Sequence, residues 1–172
     1  MTVEGRLSAQ ELGRRLDRIL DATERLIADV PDARMDDKPP QRDRTLRDLA
    51  YHVFRLALAF ADGMDRGRLP REWLAEPTPS ALREGRAIAR YGALVRGRLT
   101  GWFEGAAPRE FERTIDVYDG PQSGHELLAR STAHAAQHLR QLHASLEGLA
   151  FPPRAPLPVE DFEGLALPDS LW

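Results

Sequence analysis

"STAHAAQHLRQLH", residues 131–143, carries three of the chain's five histidines. Most of its other residues are alanine, leucine, glutamine and arginine, strong helix formers, with no proline or glycine to interrupt them. A helix turns about 100° per residue, so His134 and His138 lie about 40° apart on one face, one turn from each other. His143 falls roughly opposite His134, as does His125 if the helix extends back that far, so neither joins the pair in one site. The helix is predicted to run from about residue 123 to 147, after a turn over "DGPQSG" (119–124).

Working outward, three more helices precede it. From residue 8 to about 30, Leu12, Leu16, Ile19, Leu20, Thr23, Leu26 and Ile27 recur at helical spacing. Ser8 with Glu11 reads as a capping box at its start, and Pro31 stops it. A second box, Thr45 with Asp48, opens "TLRDLAYHVFRLALAFADGM" (45–64), apolar enough for a largely buried element. The third helix is predicted from about residue 80 to 104, although its glycines each cost about 1 kcal/mol against alanine. "FERTIDVY" (111–118) alternates apolar and polar residues and reads as extended. These elements predict an all-α four-helix bundle over residues 1–150 with no internal repeat. The remaining 151–172 hold five prolines and cannot continue the last helix. Phe162, Leu165, Leu167 and Trp172 fit a tail packed back on the bundle, a partner-binding segment being the other reading.

Composition narrows the function. At 172 residues the chain can bury a real core, so any metal would serve chemistry rather than folding. A formal charge of −3 argues against a nucleic-acid module. No apolar run approaches a membrane span, and charged residues stand where a secretory leader needs an apolar core, so a soluble cytoplasmic protein is expected. The chain has no cysteine, which excludes thiolate metal sites and a nucleophilic protein thiol. Any thiol chemistry would use a thiol carried in by a substrate.

His52 stands in the middle of the most apolar helix, beside Ala50, Val53 and Leu56. A buried imidazole needs partners for both nitrogens, and a metal shared with His134 and His138 would supply one. Such a three-nitrogen site keeps open positions, the mark of a catalytic rather than a structural metal. "HAAQH" has no glutamate after its first histidine, which excludes the helix-type zinc protease.

"TLRDLAYHVFRL" and "HAAQHLRQL" resemble the helix-two and later-helix patterns of the DinB-like four-helix proteins, and "YDGPQSGHELLARSTAHAAQHLRQL" and "GLALPDSLW" resemble one bacterial subgroup. The resemblance covers residues 8–149. It implies a metal triad at His52, His134 and His138, a divalent ion such as zinc or nickel, and often a homodimer. It also implies a low-molecular-weight thiol co-substrate (mycothiol, bacillithiol or glutathione), used for S-transfer or isomerisation of a small substrate. Helical projection adds Arg130 and Gln141, one turn before and after the histidine pair, as catalytic candidates. Arg55, one turn from His52, is a candidate grip for a substrate carboxylate, and Tyr118 a candidate proton donor. Asp48 lies one turn before His52 but is already accounted for as a cap. Two other uses of such a site remain open: a non-catalytic, stress-related metal-binding bundle, and a metal-hydroxide hydrolase.

Overall fold

A computed structural model describes residues 5–172, so the first four residues of the predicted 1–150 unit lie outside the described residues. Four long helices form: α1 (Ala9–Ala28), α2 (Leu46–Arg66), α3 (Gly85–Gly105) and α4 (Gly124–Gly148). Around the bundle their order is α1, α3, α2, α4, which puts α1 diagonally across from α2. The fully buried Leu16, Ile19, Leu20, Phe54, Phe60, Leu128 and Leu142 fill the space between them. No helix among the described residues is long and apolar enough to cross a membrane.

Each start predicted from a capping residue has a local cause. Ser8 Oγ accepts the Glu11 amide at 3.1 Å and Thr45 Oγ1 accepts the Asp48 amide at 3.0 Å. Neither box closes reciprocally, because each acid is engaged elsewhere. Arg14 and Arg15 hold the Glu11 carboxylate, pushing its pKa down to about 2, and Asp48 accepts the Thr78 hydroxyl at 2.6 Å. The box that does close lies at Ser123 and Glu126, where α4 begins.

Three boundaries differ from the sequence reading. The third helix starts at Gly85 rather than near residue 80, because Pro79 and Leu82 form a turn. Gly85 is fixed there by contact: a Cβ on it would stand 2.2 Å from the Ile27 carbonyl oxygen. "DGPQSG" is not wholly a turn. The chain reverses at Tyr118 and Asp119, and Gly120, at φ 126°, opens the strand Gly120–Ser123 (β3), antiparallel to Thr114–Val117 (β2). A third short strand, Arg68–Leu69 (β1), pairs parallel with β2. This small sheet sits where α2 ends and α4 begins, and His52 lies towards the other end of α2.

The ion network between α1 and α3 centres on Arg96, which reaches Asp17 at 2.9 Å, Asp21 at 2.8 Å and Glu24 at 3.4 Å. Glycine lets α3 approach its other neighbour, since a Cβ on Gly92 would lie 2.5 Å from the Phe54 ring, whereas nothing lies within 4 Å of one on Gly97. The two glycines therefore respond in opposite directions. Gly92→Ala is expected to lose about 1–3 kcal/mol through overpacking, and Gly97→Ala to gain about 0.5–1 kcal/mol through helix propensity, both read by urea denaturation.

Candidate functional site

Packing of α2 on α4 brings two of the three predicted ligands into contact. The rings of His52 and His138 meet edge to face with centroids 4.9 Å apart, and both line a cavity of about 290 Å³ with Leu49, Gln141, Arg42 and Arg44. Burial lowers the pKa of His52 to about 3, helped by His138 and Arg44, while a hydrogen bond to the Leu74 backbone opposes the shift. Burial likewise brings His138 down to about 4, against a hydrogen bond to the Gln141 amide oxygen that works the other way. Both rings are therefore neutral at physiological pH, the form that can donate a lone pair.

His134 follows α4 one turn earlier, its ring centroid 6.3 Å from that of His138. It is exposed and lines neighbouring spaces beside Arg130 and Tyr118 rather than the cavity of the other two. Although the residue is largely open to solvent, partial desolvation of its ring, then Arg130, lowers its pKa. Arg130 donates to the Tyr118 hydroxyl at 2.7 Å and to Asp119 at 3.0 Å, and Arg71 lies over the other aspect of Tyr118, 4.5 Å from the ring centre. This cluster flanks His134, so Arg130 and Tyr118 stand together on its side of α4.

Gln141 stands where projection placed it, with Oε1 2.9 Å from His138 Nδ1. Arg55 does not line the cavity. Its side chain is buried, its Nε donates to Glu76 at 2.5 Å, and its Nη1 has no partner among the described residues. Glu76 thus occupies the carboxylate position that a substrate was expected to take. Arg42 and Arg44, at the cavity mouth, escaped the sequence reading because they sit in a polar loop with no periodicity to mark them. His125 and His143, set aside by projection, tie down chain ends: His125 Nε2 lies 2.8 Å from the Leu7 carbonyl, and His143 Nε2 lies 3.3 Å from that of Ala155. A groove of about 1020 Å³ between α1 and α3 is lined by none of the triad.

Three imidazoles sharing a tetrahedral ion, each nitrogen about 2.0–2.1 Å away, place their ring centres about 5 Å apart. The His52–His138 separation of 4.9 Å fits that spacing, and the 6.3 Å from His138 to His134 is wider. Among the described residues no group of three or more His, Cys, Asp or Glu side chains is gathered closely enough to hold an ion. The donor set and the His52–His138 spacing fit a metal, whereas the His134 ring stands outside that spacing.

A family profile described as the DinB superfamily matches residues 15–142, most of the bundle and all three histidines. The chain belongs to the DinB superfamily. Among solved structures, this DinB-like bundle is similar to a DinB-like protein from Bacillus subtilis, with a TM-score of 0.67 and 15% identity, covering 86% of this chain and 95% of that one. At that identity the likeness is one of fold. No curated protein matched by sequence.

The histidine pair makes metal-free stability pH-dependent. Unfolded, each ring would titrate near 6.5, whereas in the fold His52 and His138 stay neutral down to about 3 and 4. The unfolded state therefore binds more protons between those values, so stability is fully present above about pH 6.5 and falls as pH drops towards 4. The loss is expected to reach at most about 1.4 kcal/mol per pH unit for each ring. Urea denaturation of the metal-free protein at pH 7 and pH 5 measures it, and His52→Gln should make the dependence shallower.

Proposed function

We propose that this DinB-like chain is a metal-dependent enzyme that activates a low-molecular-weight thiol for transfer, addition or isomerisation on a small electrophilic substrate. His52, His134 and His138 would hold a divalent ion, zinc or nickel. The observation that carries the reading is the contact of two neutral imidazoles, from helices far apart in sequence, on one solvent-reaching cavity. A divalent ion bound there would lower the pKa of a thiol or water reaching its open position.

The chain's own residues then have definable work. Gln141 orients the His138 ring, and Arg42 and Arg44 outnumber Asp43, which pairs with Lys38, around the cavity, so its lining favours an anionic substrate. With no cysteine in the chain, no protein thiol competes for the ion or the electrophile. The incoming thiol would lose its proton to water, and its sulfur lone pair would form the bond to the electrophilic carbon as a leaving group departs with its bonding electrons or, in an addition, as the carbon's π electrons shift to the neighbouring atom, which takes up a proton. On the far side of His134, the Tyr118 hydroxyl accepts from Arg130 and keeps its own proton to donate.

A second reading, metal binding without turnover, draws on the small cavity and on the C-terminal residues that lie along α4 beside it. Elemental analysis, followed by thermal shift with mycothiol, bacillithiol and glutathione, decides between them. The enzyme reading expects about one metal per chain, affinity falling at least about tenfold in His52→Ala and His138→Ala, and a thiol that raises Tm only in the metal-loaded form. Metal without any thiol response selects the second reading, and a chain that takes up no metal overturns both.

A further inference from the structure

We propose that the C-terminal strap, residues 168–172, sets the tautomer of His138 through the side chain of Gln141. Gln141 is 4% exposed, and its amide is held at both ends: Nε2 donates to the Leu171 carbonyl at 2.8 Å, and Oε1 lies 2.9 Å from His138 Nδ1. A backbone carbonyl can only accept, so the NH₂ end of the amide must face Leu171. The amide oxygen then faces His138, and it too can only accept. Nδ1 must therefore carry the ring proton, which leaves the lone pair on Nε2, across the ring.

The Leu171 carbonyl is itself pinned. Its other lone pair accepts Gln137 Nε2 at 2.7 Å, and the same nitrogen lies 3.2 Å from the Ser170 carbonyl. Gln137 cannot turn its amide over either, because its Oε1 accepts Arg140 Nη1 at 2.8 Å, and Arg140 also reaches the Pro168 carbonyl at 3.4 Å. Residues 137, 140 and 141 share one face of α4, so the strap lies along that face and its last peptide groups are fixed from below. Further back, the same tail is fastened by the nearly fully buried Asp161, which accepts Arg18 Nε at 2.6 Å. Free histidine side chains favour the proton on Nε2. Here the strap imposes the opposite choice.

The consequence for the site rests on the function proposed above: the nitrogen left unprotonated is the one available to an ion shared with His52. The tautomer itself requires no metal, so it can be tested separately. Long-range ¹H–¹⁵N correlation spectra of the metal-free full chain at pH 7.5 should show His138 with its proton on Nδ1. A chain ending at Leu167 should lose that pattern in favour of the Nε2 proton, as should Gln141→Leu with the strap intact, which covers the case of a shortened chain that folds poorly. Gln141→Glu in the shortened chain should restore the Nδ1 proton, because a carboxylate accepts from either oxygen without needing to be oriented. Zinc affinity should fall about 10–100-fold on shortening and recover with Gln141→Glu. A proton on Nε2 of His138 in the full chain, or a spectrum unchanged by shortening, overturns the proposal. Absence of zinc binding in every variant, with the tautomers as expected, contradicts the metal site and leaves the strap's role standing.

Discussion

An imidazole removed from water must find partners for two nitrogens, one that donates and one that accepts, and the interior of a helical bundle offers few of either. His52 and His138 face this constraint together, since the packing of α2 on α4 presses their rings to 4.9 Å. The His138 ring finds one such partner in the Gln141 amide, whose Oε1 lies 2.9 Å from Nδ1. Both rings line the cavity between α2, α4 and the loop of Arg42 and Arg44. Burial also keeps the rings neutral, so the same packing that orients the donors preserves their lone pairs.

Around this pair, the fold is arranged so that the two helices meet in one register. The glycines of α3 allow close contact with α1 at Gly85 and with Phe54 of α2 at Gly92. The small sheet ties the end of α2 to the start of α4, and the closed capping box at Ser123 and Glu126 fixes where α4 begins. A shift of α4 by one residue would rotate His138 by about 100° away from His52.

Much of this was legible in the sequence because helical periodicity and caps are local signals. The i, i+4 spacing put His134 and His138 one turn apart on α4, although their rings line different spaces, and the apolar surroundings of His52 predicted the desolvation of its ring. What escaped were non-local matters. That Arg55 would be claimed by Glu76 depends on the path of a loop, as does the presence of Arg42 and Arg44 at the cavity mouth. The parallel pairing of β1 with β2 joins segments more than forty residues apart and leaves no mark in either. The late start of α3 follows from the turn at Pro79 and Leu82, and the glycine at its first position meets a close approach to the Ile27 carbonyl, which no propensity encodes. The strap on α4 could be read only as an apolar tail, because its hold depends on backbone carbonyls, which every sequence possesses.

The account comes down to whether three imidazoles, two already in contact and one a turn away, close on a single ion. Anomalous diffraction from crystals of the zinc- or nickel-loaded protein measures that directly. The account predicts one anomalous peak within about 2.0–2.2 Å of a ring nitrogen of each of His52, His134 and His138. A peak elsewhere, or a loaded protein in which His134 remains turned towards Arg130 and Tyr118 with no ion between the rings, would contradict it.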